Sequence, residues 1–321
     1  MDVEPDDRPR IGISACLLGD QVRFDGGHKR DSFLTDELSP HVHWVRVCPE
    51  VEVGMGTPRE TLRLIRAGDG RVRMVTTRTG IDHTDAMAAW SVERLNDLES
   101  EDLSGYVLKK DSPSCGMERV NVFGRTGMPE RNGRGLFADA LLRRFPDLPV
   151  EDEGRLSDPR LRENFIERVF AYQRLRRFFA GRWTIASLVR FHTAQKMLLL
   201  SHSTTGSNEL GRLVAAARKS PRAALRSEYE SRFMRTMSRI ATTRRHTNVL
   251  MHMAGHLKKV IDSASRLELS ACIDDYRRGL VPLVVPLTLL RHHVRQHEVS
   301  YLLGQTYLEP HPRELMLRNR V

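Results

Sequence analysis

Three of the four cysteines sit at the ends of apolar, strand-like runs. Cys16 closes Ile11-Gly12-Ile13-Ser14-Ala15-Cys16. Cys48 closes Val42 to Val47 and opens Cys48-Pro49-Glu50. Cys115 follows Tyr106 to Lys110, inside Asp111-Ser112-Pro113-Ser114-Cys115-Gly116. In an open α/β sheet the carboxyl ends of parallel strands converge on one crevice, and ligands bind there. Three thiols delivered to one crevice from distant segments read as a three-point anchor for a metal centre, with one coordination position left for a substrate. Their spacing is unlike zinc ribbons or ferredoxins, which use Cys-x2-Cys repeats. A lone free cysteine is usually a small core residue. These three are instead flanked by Gly, Pro or small polar residues, whereas Cys272, on a predicted helix, reads as core.

Groups suited to proton transfer surround them. Glu50 follows Cys48 by two positions and Glu52 by four, and Lys109, Lys110, Asp111, Ser112 and Ser114 crowd the third cysteine. Val53 to Glu60 is a Gly-rich loop whose Arg59 is able to hold an anion or pair with Glu50. Its glycines are also what any tight turn requires.

The elements that must position these residues alternate in type. Strands are predicted at Arg10–Ser14, Trp44–Cys48, Arg71–Thr76 and Tyr106–Lys109. Helices are predicted at Asp82–Leu98, with Met87, Trp90, Val92 and Leu95 near helical spacing, and at Gly135–Phe145. Such alternation implies an α/β domain over residues 1–150 with a mainly parallel, Rossmann-like sheet. Phe145 to Gly154, rich in Pro, Gly and acid, reads as a connector. Residues 151–321 read as an all-α domain: Arg160–Ala180, Thr184–Ser203, Leu210–Ala217, Leu225–Thr242, Arg245–Ala264, Ser265–Gly279, Pro286–Val294 and His297–Tyr307 carry apolar residues every three or four positions.

A chain of 321 residues with 40% hydrophobic and 29% charged content has room for two such cores. Four cysteines at this length do not make a disulfide scaffold. The acidic start, Met1 to Arg8, is unlike a secretory signal, and Leu280 to Leu290 is too short and Pro-interrupted to span a bilayer. A cytoplasmic protein without a membrane partner is the expectation; the sequence sets no oligomeric state. The net charge of +10 is unevenly spread: residues 1–150 carry 21 Lys+Arg against 25 Asp+Glu, a balance of −4, so residues 151–321 carry +14. Arginines cluster at Arg174, Arg176, Arg177 and Arg182, at Arg212, Arg218 and Arg222 with Lys219, and at Arg232, Arg235, Arg239, Arg244 and Arg245. Arginine grips phosphate through a planar fork, so the clusters point to a polyanion. A solvated helical surface is the plainer reading. His192, His202, His246, His252 and His256 recur at helical spacing; His252 and His256 share a helix face as a metal pair would, yet packed or hydrogen-bonded imidazoles explain them more simply.

Three segments together resemble the bacterial thiouracil desulfidase domain: Ser14-Ala15-Cys16-Leu17-Leu18-Gly19 with Arg23-Phe24-Asp25-Gly26; Cys48-Pro49-Glu50 with Gly54-Met55-Gly56-Thr57-Pro58-Arg59-Glu60; and Leu108 to Gly116. The second half, through Phe191 to Leu199, Arg245 to His256 and Val285 to Leu315, is similar to the helical domain often fused to it. Phe24 replaces an expected Tyr and His83 an expected Val. The resemblance implies a 4Fe-4S cluster held by Cys16, Cys48 and Cys115, with one open iron, in an enzyme converting 4-thiouridine of tRNA to uridine. The open iron would act as a Lewis acid on the thiocarbonyl sulfur, with no net electron transfer. Glu50 is the expected base toward water, with Ser112, Ser114 and Lys109 orienting the base or stabilising charge; the basic half is expected to hold tRNA. Two alternatives stand beside this: desulfidation of free 2-thiouracil or another small thiolated base, and a nucleic-acid-binding protein with a structural metal site.

Overall fold

The computed structural model describes residues 7–124 and 127–320; the acidic start, Met1 to Asp6, lies outside them. The chain divides into two compact units, the first ending at Asp158 and the second beginning at Pro159.

The first unit contains strands β1 (Arg10–Ser14), β2 (His43–Val47), β3 (Leu62–Arg66), β4 (Val72–Thr76), β5 (Gly105–Leu108), β6 (Val120–Phe123), β7 (Pro129–Gly133) and β8 (Val150–Asp152). Its helices are α1 (Pro49–Glu52), α2 (Thr84–Ser100) and α3 (Leu136–Arg144). Four strands form a wholly parallel sheet in the order β2-β1-β5-β8. The chain steps from β1 to one side and later returns on the other, so the strand order reverses at β1. That is where an open sheet leaves a crevice at its carboxyl edge. Burial explains why these runs are strands: Ile11, Ile13, Val47, Tyr106, Val107 and Leu108 are fully enclosed, as expected of a sheet covered on both faces. Gly12 is required where it stands, because a Cβ there would lie 2.2 Å from the buried Tyr106 ring.

A second sheet, in the order β4-β3-β6-β7, pairs β3–β4 and β6–β7 antiparallel and β3–β6 parallel. The strand expected at Arg71–Thr76 belongs to this sheet and not to the parallel one. The stretch read as a connector holds β8: Val150, Glu151 and Asp152 are all buried against β5. Its acids give the segment the look of a solvated loop. Arg155 compensates them, donating from Nε to Glu151 at 2.5 Å and from its backbone to Asp152 at 2.8 Å. Val92, expected on the buried stripe of α2, is exposed; Met87, Ser91, Leu95 and Leu98 make that stripe, and Trp90 packs on Phe137 at 5.4 Å.

The second unit is helical: α4 (Pro159–Ala180), α5 (Ile185–His202), α6 (Thr204–Ala215), α7 (Arg222–Met237), α8 (Thr243–Leu257), α9 (Ser263–Arg277), α10 (Val284–Gln296) and the single turn α11 (Ser300–Leu303). Helix α6 begins six residues before its expected start because Ser203 caps it, accepting the Gly206 N–H at 3.1 Å. The helix expected over His297–Tyr307 is cut to α11 and one 3-10 turn around Gly304. The core joins Phe179, Leu198, Tyr229, Phe233, Leu250, Leu290 and Tyr307. A buried ionic knot ties the chain's end to α4: Arg318 donates to Glu167 at 2.6 Å, and His202 contacts the other Glu167 oxygen at 2.9 Å. Among the described residues no helix is long and apolar enough to cross a membrane.

Candidate active site

Each cysteine is placed by a different local device. Cys16 lies in the 3-10 turn after β1, which Gly19 ends in a left-handed conformation (φ 97°); its carbonyl accepts the Lys29 N–H at 2.9 Å. Cys48 is the N-cap of α1, with Pro49 at the first helical position. Glu52 reaches back to the Cys48 N–H at 2.8 Å and is itself held by Arg94 at 3.1 Å. The Cys115 turn is pinned to the start of α3. The carbonyls of Pro113 and Ser114 accept the Leu136 and Ala138 N–H groups, at 3.1 Å each, which would otherwise be orphaned at the helix terminus.

All three thiols line one cavity of about 390 Å³ at the carboxyl edge of the parallel sheet. Glu50, Arg59, Lys109, Ser112, Ser114 and Phe24 share its wall. Burial pushes the Cys16 thiol up to about 11, with Cys48 adding to the shift. Burial likewise raises Cys48, and it raises Cys115 further, against the polar contacts of Ser14 and Ser114 with its sulfur. Uncompensated, these groups are neutral thiols at pH 7. A cationic metal centre is what converts such thiols to thiolates. Among the described residues no three His, Cys, Asp or Glu side chains cluster closely enough to hold a single ion. A multi-iron cluster takes one thiolate per iron and so fits a ring of sulfurs around a cavity.

The Glu50 carboxylate has two distinct ends. Oε2 accepts Arg59 Nη2 at 2.5 Å and Nε at 3.0 Å, and both side chains are largely buried. Oε1 accepts the Ser114 hydroxyl at 2.7 Å, while Ser112 stands 3.0 Å from Ser114. Ser112 Oγ already accepts the N–H groups of Ser114 and Cys115, at 3.3 and 3.2 Å. Its own proton is therefore free to point along Ser112, Ser114 and Glu50. Arg59 also donates to the Val22 and Gly56 carbonyls, at 2.9 Å each. It is thus committed to protein acceptors, not open to an incoming anion. Lys109 is committed as well: its ammonium pairs with Glu153, whose other oxygen accepts the Lys110 N–H at 2.8 Å.

Two participants escaped the sequence reading. Ser14 is buried, accepts the Lys109 N–H at 3.0 Å and hydrogen-bonds Cys115. Glu153 follows β8 directly, in a stretch whose acids and glycine look like a connector. Both stand at carboxyl ends of the parallel strands, the rule that located the cysteines. Phe24 presents a ring 38% exposed at the cavity, with the Arg23 guanidinium 5.3 Å from its centre. Cys272 is half-buried on α9 and not a core residue. In the second unit His192 and His246 bond the hydroxyls of Tyr229 and Tyr307 at 3.2 and 2.8 Å, and His252 stacks edge-on to His256 with centroids 5.3 Å apart. The Arg174 guanidinium is buried, donating to the Pro310 carbonyl at 2.8 Å, so it leaves the set of phosphate-gripping candidates.

Residues 11–153 match the 2-thiouracil desulfurase family, and residues 196–312 match a family described as a protein of unknown function, DUF1722. An Escherichia coli K12 protein, the uncharacterized YbgA, is 35% identical over 161 residues, covering 50% of this chain and 95% of its own. The uncharacterized Bacillus subtilis protein YbbK is 31% identical over 111 residues, covering 33% of this chain and 72% of its own. A solved structure, the 4Fe-4S-dependent thiouracil desulfidase TudS, aligns with a TM-score of 0.38 at 33% identity, covering 47% of this chain and 94% of that one. The family match over residues 11–153, with relatives covered over most of their own length, places the chain among the thiouracil desulfurases, a class that cleaves a carbon–sulfur bond. The chain belongs to that family through its first unit and to the DUF1722 family through its second.

Proposed function

We propose that the chain converts 4-thiouridine in tRNA to uridine in an iron–sulfur-dependent, non-redox desulfidation. The observation that carries this reading is the convergence of three cysteines from three strand ends on one cavity, beside a carboxylate oriented by an arginine and a serine. Cys16, Cys48 and Cys115 would hold a 4Fe-4S cluster. Bound there, it supplies an iron without a protein ligand, a soft Lewis acid for the thiocarbonyl sulfur.

The protein's own groups do the rest. Phe24 offers a flat, exposed face on which a uracil ring can stack. Glu50 takes a proton from the attacking water at Oε1, and Ser114 and Ser112 hold that oxygen in place. Arg59, gripping the other oxygen, fixes the carboxylate plane. Lys109, neutralised by Glu153, serves to position the strand end carrying Ser14 and the Cys115 turn. Water supplies the oxygen of the new carbonyl and both hydrogens of the hydrogen sulfide released. Nothing is oxidised or reduced.

The tRNA part rests on the +14 balance of residues 151–321, which suits phosphate neutralisation and predicts affinity that falls steeply with salt. A second reading, desulfidation of free 2-thiouracil, is favoured by the description of the matched family. One experiment separates them. Protein reconstituted anaerobically and verified to carry its cluster is incubated with bulk tRNA and, separately, with 2-thiouracil, followed by nucleoside and sulfide analysis. Loss of 4-thiouridine with matching sulfide supports the tRNA reading. Turnover of the free base alone supports the second, and turnover of neither refutes both.

A further inference from the structure

We infer that the cleft between α5 and α6 is a phosphate-binding site that seats a backbone phosphate of RNA. This rests on the tRNA reading above and deepens it, by naming where on the helical unit the polyanion is gripped.

The cleft is an open hollow of about 770 Å³ lined by His192, Thr193 and Lys196 from α5 and by Ser207, Asn208, Gly211, Arg212 and Ala215 from α6. The spacing explains why a hollow exists. Ser207, Gly211 and Ala215 recur every four residues and so stack on one face of α6, and all three are small. Their shortness leaves room that a larger side chain would fill. The floor is His192, whose Nε2 would lie 3.8 Å from a Cβ placed on Gly211.

Three features give that hollow the chemistry of an anion site. First, its two charged side chains are both cations, Lys196 and Arg212, and no carboxylate lines it. Neither cation makes an ion pair among the described residues, unlike Arg226, Arg232, Arg277 and Arg278, which are paired with acids on their own helices. Second, the polar atoms are mixed: the exposed Asn208 amide accompanies the cations on the rim, and the Ser207 hydroxyl lies deeper in the wall. Third, His192 is only 9% exposed, and its Nε2, which has no hydrogen-bond partner among the described residues, lies against Gly211 in the lining of the cleft. Its Nδ1 faces the hydroxyl of the fully buried Tyr229 at 3.2 Å. Among the described residues that hydroxyl has no other acceptor, which favours its donating to Nδ1 and leaves the imidazole proton on Nε2. Burial and then the Lys196 charge push His192 down to about 4, so it is a neutral N–H donor at physiological pH. Two unpaired cations over a buried neutral donor make a tetrahedral-anion site. An open hollow on a basic unit suits a phosphate still attached to a chain.

The test measures tRNA affinity of the full-length, cluster-loaded protein across a salt series. It compares wild type, Lys196→Gln/Arg212→Gln, and a control of equal charge, Lys258→Gln/Lys259→Gln, at exposed positions at the end of α8. The altered residues are exposed, and thermal melts check that each variant retains the wild-type fold. The cleft variant is expected to bind about tenfold or more weakly, with a log–log salt slope smaller by about one to two. The control is expected to lose less than about threefold. Equal losses in both variants, or none in the cleft variant, overturn the cleft while leaving the tRNA reading intact. Wild-type protein that fails to bind tRNA overturns both.

Discussion

Glu50 faces two demands at once, and its two oxygens divide them. A carboxylate bound only by serines could swing; one bound only by Arg59 would be a structural ion pair. Here the Arg59 grip on Oε2 fixes the plane, and Oε1 is left with hydroxyl partners that can rearrange around a water. Glu50→Gln keeps the shape and most of these contacts but removes the proton acceptor. It is expected to retain full iron and sulfide content while turnover drops about 10²- to 10⁴-fold, the range for loss of a general base. Unchanged turnover in cluster-loaded Glu50→Gln protein would assign Glu50 a structural role.

At the level of elements, the site depends on how loops are fastened to regular structure. The Cys115 turn and α3 are separated by the β6–β7 hairpin, yet they are tied by backbone hydrogen bonds at Gly116, Pro113 and Ser114. Gly135 is the junction. A Cβ there would stand 2.4 Å from the Ser114 carbonyl oxygen and 2.8 Å from the Cys115 nitrogen. These are backbone atoms and cannot be relieved by a rotamer change. Gly135→Ala should therefore push the 112–116 turn outward, lowering iron retention after anaerobic reconstitution severalfold. Normal iron content in that variant would show that the turn tolerates displacement. Gly26, where a Cβ would meet nothing within 4 Å, is the matched control for clash, although its positive φ adds backbone strain.

Across the whole molecule, stability should respond to acid through the second unit. Burial pushes His246 down to about 3, and His192 and His311 each to about 4, with Arg318 or Lys196 contributing. The unfolded chain binds these three protons near pH 6.5 and the folded one does not, so stability falls as pH drops below 6.5. Glu163 opposes one of them: burial and the Glu167 charge push it up to about 8, so its folded form keeps a proton that the unfolded form has lost above about 4.5. These four groups together release roughly two protons on folding, or on the order of 2–3 kcal/mol per pH unit between about pH 6 and 5. Thermal melts followed by helical circular dichroism should show the midpoint falling over that window. A midpoint that is flat or rises toward pH 5 would contradict the buried neutral imidazoles.

The residues themselves carried the candidate chemistry and the broad division into an α/β and a helical unit. Strand-like runs ending in cysteine, helical periodicity after Asp158 and the +14 balance of the second half are local or additive properties, so they are legible along the chain. What lay beyond reach were pairings. That Val72–Thr76 joins a second sheet built on β3 and β6, that the acid-rich Val150–Asp152 is a buried edge strand, and that Lys109 gives its charge to Glu153 all depend on partners distant in sequence, whereas the Arg59–Glu50 pair was one of two options legible along the chain. The spacing of residues sets what a segment can be. Burial and pairing, which only the closed tertiary structure defines, set which groups remain free to act.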